Sequence, residues 1–89
     1  LYCGDIKTSK SISPDYWLQV AFYAAAYEEE YREPISDTCI VLLTKDGKID
    51  VRYRKQDYKV DWRDDFRTFC KVREIYSWAE ENKYFGFSK

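Results

Sequence analysis

The 89-residue sequence contains no histidine and no methionine, and it has only three glycines and two prolines. Without histidine, and with Cys3, Cys39 and Cys70 far apart, it offers no ligand set for a structural zinc site. The scarcity of glycine and proline, beside 45% hydrophobic and 19% aromatic residues, predicts a folded domain and argues against disorder. Because methionine is missing and the chain opens on residues typical of the middle of a strand, we expect further residues upstream.

The sequence also lacks a long apolar run and an excess of either charge. No segment resembles a membrane span or a signal peptide, so no membrane partner is expected. Fifteen basic residues nearly balance sixteen acidic ones, and any DNA-binding surface must therefore be a local patch. An odd, dispersed set of cysteines is typical of free thiols in a reducing compartment. The length predicts one domain, covering 1–89.

The first third of the chain predicts a strand followed by a helix. Residues 1–8 have the composition of a short strand, in which Ile6 is expected to face the core. Residues 13–15 combine a capping serine, a proline suited to the first helical position and an aspartate that favours the positive end of the helix dipole. The helix should extend to about Tyr31, because Pro34 disfavours helical geometry in the residue before it.

The rest of the chain predicts a β-hairpin and a second helix. The apolar run 38–44 suits a strand covered on both faces, and Asp-Gly within 45–48 suits a hairpin turn. Residues 49–54 alternate between apolar and polar, as in a half-exposed antiparallel strand. After a polar connection, apolar residues recur at helical spacing from Trp62 to about Asn82, with Asp57 or Asp61 as a cap. The predicted order is strand, helix, strand, strand, helix, an incomplete α/β layer.

The residue types that carry chemistry stand in the first strand. Side chains at i and i+2 project to the same face, so Asp5 and Lys7 lie side by side. A carboxylate suits Mg²⁺ or Mn²⁺, and a neighbouring ammonium can orient a metal-bound water and stabilise charge on a phosphate under attack. The pair therefore has the parts for phosphodiester hydrolysis. Asp-x-Lys also occurs by chance, and the plain alternative is a surface ion pair worth well under ~1 kcal/mol.

The helix that follows adds two polar residues. Gln19 and Tyr23 are four residues apart and share one helix face. The strand sequence Gly-Asp-Ile-Lys-Thr at 4–8, followed by Gln-x-x-x-Tyr on a helix, resembles the core of RecB-type PD-(D/E)XK nucleases. Within that superfamily it is most similar to the phage and mitochondrial genome maintenance exonucleases. The resemblance extends over about 1–54.

The resemblance implies a partial restriction-endonuclease-like core, with a mixed sheet and helices packed on it. It implies that Asp5 and the backbone carbonyl of Ile6 are metal ligands and that Lys7 is the catalytic lysine. Gln19 and Tyr23 would lie over the cleft, where they contact DNA or steady the lysine. The implied cofactor is Mg²⁺ or Mn²⁺, and the implied activity is hydrolysis of DNA, most simply by an exonuclease. A cytoplasmic protein encoded by a bacterium or a phage is expected.

The sequence departs from the family in one respect. The first acidic ligand of the motif lies on the preceding strand, and an upstream Glu or His often completes the site, yet only four residues precede Asp5. We therefore expect a C-terminal portion of a nuclease core, inactive alone, which lacks its N-terminal strands and helix. The missing N-terminal segment is then an expected partner. The exposed edge of the first strand also invites self-association.

Cysteines and basic residues complete the candidates. Some relatives hold an iron–sulfur cluster, but Cys39 and Cys70 have no close cysteine neighbours. No cluster is expected, and both thiols should be buried. Basic and polar residues near the strand ends are candidate phosphate contacts, although a solvated surface explains them almost equally well. These candidates are Thr8, Lys10, Arg52 and Arg54, with Lys45, Lys48 and Lys55 nearby.

Two other function classes stay open. One is a non-catalytic nucleic-acid-binding or scaffold domain that keeps the fold without the active site. The other is a small α/β interaction module in which Asp-x-Lys is coincidental, and it predicts that Asp5 and Gln19 do not face a common cleft. Placement of Lys7 and Tyr23 on opposite sides of the sheet would exclude a nuclease.

Overall fold

The computed structural model describes residues 1–82, so the apolar stretch at 84–87 lies outside it. The elements follow the predicted order, with one short helix added in the segment expected to be a polar connection. They are β1 (Tyr2–Thr8), α1 (Pro14–Tyr31), β2 (Asp37–Leu43), β3 (Ile49–Tyr53), α2 (Arg54–Tyr58) and α3 (Trp62–Asn82). None of the helices in the described part of the chain is long and apolar enough to cross a membrane.

The three strands form one mixed sheet in the order β1-β2-β3. β1 and β2 are parallel and are joined through α1, whereas β2 and β3 form an antiparallel hairpin. Gly47 takes a φ of 83° in the connecting turn, a conformation that the Asp-Gly sequence predicts. The predicted α/β class, with a mixed sheet and helices packed on it, is confirmed.

Both long helices begin close to where the sequence predicts. Ser13 has the extended backbone of a cap, and Pro14 occupies the first turn of α1, but the serine hydroxyl bonds to the Asp15 carboxylate and not to a backbone N–H. At the start of α3, the Asp61 carboxylate accepts a hydrogen bond from the Arg63 N–H at 3.0 Å. Asp61 is therefore the side chain that caps this helix.

The two faces of the sheet have different surroundings. The helix-covered face lies under α1 and carries Asp5 and Lys7, with the buried strand residues Thr38, Ile40 and Leu42 beside them. The opposite, open face carries apolar side chains that are 40–67% exposed, namely Tyr2, Ile6, Ile49 and Val51.

Two predictions about these faces are wrong. Ile6 does not face the core, because Asp5 and Lys7 take the side of β1 under α1 and strand alternation then turns Ile6 outward. β2 is not covered on both faces within residues 1–82, since Cys39, Val41 and Leu43 on the open face stay partly exposed. Its continuous apolar run reflects one buried face and one open apolar face.

The packing between α1 and α3 is centred on Trp62. Its ring is 2% exposed and forms a core cluster with Ala21, Ala24 and Ile35. The indole Nε1–H donates to the Ile35 carbonyl oxygen at 3.0 Å. Because the alanines of α1 are small, the indole can pack closely against that helix. This cluster holds α1 and α3 together.

A second cluster ties the start of α2, which directly follows β3, to α3. The Arg54 guanidinium makes two hydrogen bonds to Asp65, at 2.8 Å from Nε and 3.0 Å from Nη2. Its Cζ also lies 5.1 Å from the centre of the Trp17 ring and 5.6 Å from that of Tyr58. Charge-assisted bidentate bonds of this kind are among the stronger side-chain interactions.

Gly4 of the strand motif packs closely against the side chain of Cys39. A Cβ at Gly4 would lie 2.6 Å from the Cys39 sulfur, so a larger residue there requires the thiol to move. Cys39 itself is half-buried, and burial raises its pKa and that of Cys3 above the usual thiol value. Cys70 is exposed, so the prediction that it is buried is wrong. It lines an open pocket on α3 together with Phe22 of α1.

Candidate active site

The structure brings Asp5, Lys7 and Gln19 together on the helix-covered face. The Lys7 Nζ lies 3.1 Å from Asp5 Oδ2 and donates to Gln19 Oε1 at 2.5 Å. The lysine and aspartate side chains are 26% and 25% exposed, so the pair is partly withdrawn from water but still reachable. The ammonium is thus held between a strand carboxylate and a helix amide, as expected if the two motifs belong to one site.

Tyr16 joins this group, although the sequence did not suggest it. The Lys7 Nζ lies 5.1 Å from the centre of the Tyr16 ring, within the range of a cation–π interaction. Tyr16 precedes Gln19 by three residues and Tyr23 by seven, so the three share one face of α1. That spacing is a pattern from which Tyr16 was predictable.

Tyr23 lies one helical turn beyond Gln19 and is 45% exposed. Its ring contacts Phe22, with the ring centres 6.0 Å apart. Within residues 1–82 it makes no hydrogen bond to Asp5 or Lys7. Tyr23 belongs to α1 and so lies on the side of the sheet that this helix covers, but the aromatic ring that it contacts among the described residues is that of Phe22.

The Asp5 carboxylate reaches the outer edge of β1. The Leu1 carbonyl accepts the Ser36 N–H at 2.8 Å and so faces β2. Backbone groups of successive residues point to opposite edges of a strand, which turns the N–H and carbonyl of Ile6 to the other edge. There the Ile6 N–H donates to Asp5 Oδ1 at 3.0 Å. Asp5 and the Ile6 carbonyl thus share one edge, which no strand of the described residues pairs.

This edge fits part of a ligand set for Mg²⁺ or Mn²⁺. No group of three His, Cys, Asp or Glu side chains in residues 1–82 is placed to hold a metal. Asp5 and the Ile6 carbonyl are nevertheless the hard oxygen donors that these ions prefer. Mg²⁺ is commonly held by one or two carboxylates, with water and substrate phosphate completing its shell. The protein donors present are of the right kind but few.

A second Asp-x-base pair in the sheet provides an internal comparison. On β3, the Arg52 Nε lies 3.1 Å from Asp50 Oδ1, and both side chains are 47% exposed. In the part of the chain that the structure describes, neither has a hydrogen-bonding partner on α1. A strand pair alone is therefore an ordinary ion pair, and the helix residues around Lys7 are what set the first pair apart.

The predicted phosphate contacts do not form one patch. Thr8 and Lys10 are exposed where β1 ends, and Arg52 is exposed but paired with Asp50. Arg54 is held by the Asp65 carboxylate and two aromatic rings, which argues against its proposed contact with phosphate. Of these candidates, Arg54 is therefore engaged within the protein, whereas Thr8, Lys10 and Arg52 lie at the surface.

Comparison with known proteins gives no match. The chain matches no family model, and no curated protein or solved structure is significantly similar to it. Its function is therefore inferred from the geometry at Asp5 and Lys7 and from the motif resemblance.

Proposed function

We propose that this chain carries part of the active site of a metal-dependent DNA nuclease of the PD-(D/E)XK type, which acts as an exonuclease. The observation that supports the proposal most is the position of Lys7, whose ammonium is held between Asp5 and Gln19 beside the outer edge of β1. Two motifs twelve residues apart thereby meet at one place, which a coincidental Asp-x-Lys does not require.

Each residue has a distinct role in the proposed site. Asp5 and the Ile6 carbonyl would hold Mg²⁺ or Mn²⁺, and the bound ion would supply activation of a water and polarisation of the phosphate. Lys7 stabilises the negative charge that develops on the phosphate as the water oxygen bonds to phosphorus and the bond to the leaving oxygen breaks. Gln19 is a positioning residue, because it fixes the Lys7 ammonium by a hydrogen bond. Tyr16 covers the same ammonium with its ring.

The number of donors limits what the described residues do alone. One carboxylate and one carbonyl bind a divalent ion weakly, since strong sites gather several oxygen ligands. Further ligands then come from protein outside residues 1–82 or from another chain. We accordingly propose an incomplete site, and expect no turnover from the isolated chain.

The second candidate is a nucleic-acid-binding or scaffold domain that has the fold but no catalysis. The shortage of metal ligands among residues 1–82 favours it, because binding of a nucleic-acid strand needs basic and polar contacts and no metal. The two functions differ in a measurable way. A nuclease site couples binding of DNA to binding of a metal through Asp5, whereas a plain binding domain does not.

The test is the affinity for a labelled single-stranded oligonucleotide, measured by fluorescence anisotropy with Mg²⁺ or with EDTA at matched ionic strength. We expect Mg²⁺ to tighten binding by about tenfold, or ~1.4 kcal/mol. Asp5→Asn should abolish this gain, because an amide is a weaker ligand than a carboxylate. Asp50→Asn is the matched control, since it disrupts the other strand ion pair, and it should keep the gain.

Each other outcome contradicts the nuclease site. Equal affinity with and without Mg²⁺, in the wild type and both variants, supports the binding domain. No binding under either condition supports the interaction module. A gain that both variants lose to the same extent indicates a general charge effect and not a site at Asp5.

A further inference from the structure

A separate pocket opens where the parallel strands β1 and β2 end. Its volume is about 350 Å³, and its walls are the last residue of β1 and the two segments that follow these strands. In open α/β sheets, ligands bind beyond the carboxyl ends of the strands, because the connecting segments diverge there. The residues that line it are Thr8, Ser9, Lys10, Thr44, Lys45 and Asp46.

Several donors in this pocket have no partner. Among the described residues, Lys10 and Lys45 make no ion pair, and the Thr8 hydroxyl makes no hydrogen bond. This differs from the other basic residues near the hairpin, since Lys48 pairs with Asp46 at 3.8 Å and Arg52 pairs with Asp50. Two ammonium groups and a hydroxyl are therefore available to an acceptor that enters the pocket.

One carboxylate, that of Asp46, also lines the pocket and would repel a bound anion. Asp46 is engaged by the Thr44 hydroxyl and by the Lys48 ammonium, which lies just outside the lining residues. Counting Lys10, Lys45 and Lys48 against Asp46 gives three positive charges and one negative, a local net charge of +2. The carboxylate is thus compensated within the turn, and the surplus of positive charge remains.

We propose that this pocket binds a phosphate group of a nucleic-acid strand, a few nucleotides from the phosphate attacked at Asp5 and Lys7. The identity of the ligand as a nucleic acid rests on the proposed function. Three residues of strand separate Asp5 from Thr8, a distance of about 10 Å along β1, and alternation turns their side chains to opposite faces of the sheet. That is roughly three nucleotides of axial rise in one strand of a duplex, at ~3.4 Å each. A nucleic-acid strand that runs along the outer edge of β1 and past its end can therefore reach both places.

The test compares two double variants in oligonucleotide binding with EDTA present, so that the metal site does not contribute. Lys10→Gln with Lys45→Gln removes the pocket charges, and Lys59→Gln with Lys71→Gln removes two exposed charges elsewhere. We expect the pocket variant to bind about tenfold more weakly, and its slope of log affinity against log salt to fall by about 0.7 to 1.4. The control variant should change affinity by less than about twofold.

A third variant and a competitor sharpen the result. Thr8→Val keeps the charge and removes one hydroxyl, and it should weaken binding by about fivefold or less. Equal losses in the two double variants, or no loss in either, would overturn the proposal. Inorganic phosphate is the competitor, and its binding is followed by the amide chemical shifts of Thr8 and Lys10. If phosphate shifts these amides but the lysine variant binds the oligonucleotide normally, the ligand is another phosphate compound and the proposal is overturned.

The two sets of variants distinguish failure of the phosphate pocket from failure of the metal site. If the pocket lysines matter in EDTA while Asp5→Asn has no effect on the Mg²⁺-dependent gain, the pocket holds and the metal site fails. If Asp5→Asn abolishes the gain while the lysine variant binds normally, the metal site holds and the pocket fails.

Discussion

Replacing Trp62 with alanine is expected to lower the free energy of unfolding by about 4 kcal/mol, the usual cost of truncating a buried tryptophan. The ring is 2% exposed and packs on the alanines of α1. Its loss opens a cavity and leaves the Ile35 carbonyl oxygen without the indole donor. A domain of this size has about 4 to 13 kcal/mol of stability in total, so the variant should lose about a third or more of its stability.

Urea denaturation followed by circular dichroism measures this loss. Trp62→Phe is the informative control, because it fills most of the cavity and removes mainly the hydrogen bond to the Ile35 carbonyl. We expect it to cost about 1 to 3 kcal/mol. A loss below ~1 kcal/mol for the alanine variant would show that Trp62 does not hold α1 and α3 together.

Asp65→Ala should have the next largest effect, a loss of about 3 kcal/mol. The Asp65 side chain is 8% exposed and the Arg54 side chain 20%, so removal of the carboxylate leaves a guanidinium largely withdrawn from water without its partner. Desolvation of an unpaired charge costs more than the ion pair itself contributes. The start of α2 and the start of α3 should loosen together.

The adjacent residue provides a matched control for this measurement. Asp64 also pairs with an arginine, Arg67, but its side chain is 63% exposed, and Asp64→Ala should cost less than ~1 kcal/mol. The double change Arg54→Met with Asp65→Leu should recover most of the stability, because it replaces the pair with apolar groups. Equal losses for Asp64→Ala and Asp65→Ala in urea denaturation would refute the structural role of the buried pair.

Local patterns were enough to predict most elements of this fold. The capping segment at 13–15, the Asp-Gly turn and the helical spacing after Trp62 each act within a few residues of sequence. The short helix α2 was missed because a distant residue stabilises it. The buried Asp37 carboxylate accepts hydrogen bonds from the Lys55 N–H at 2.9 Å and the Gln56 N–H at 3.4 Å. No local pattern in the sequence shows that contact.

The faces of the strands were harder to predict than their positions. Alternation correctly separates Ile6 from Asp5 and Lys7, but it does not say which set lies under α1. That choice depends on the path of the chain through α1 into the parallel strand β2. The apolar residues of β1 and β3 consequently lie together on the open face, and the charged ones lie on the helix-covered face.

The candidate site was predictable to the extent that it follows from periodicity. The spacing of Asp5 and Lys7 on a strand, and the position of Gln19 on the following helix, place all three together once β1 and α1 pack. Tyr16 was missed because only its place on the helix face indicates it. Arg54 was predicted to contact phosphate because the sequence does not show its ion pair with Asp65, which lies eleven residues away on another helix.

The most direct test of the central claim is to locate a bound divalent ion on the isotope-labelled chain by nuclear magnetic resonance. Small additions of Mn²⁺ broaden the signals of nuclei near the ion. The proposed site predicts that the amide signals of Asp5, Ile6 and Lys7 broaden first, that Asp5→Asn abolishes this, and that Asp50→Asn does not. Broadening centred on other carboxylates, or unchanged in Asp5→Asn, would contradict a metal site at the edge of β1.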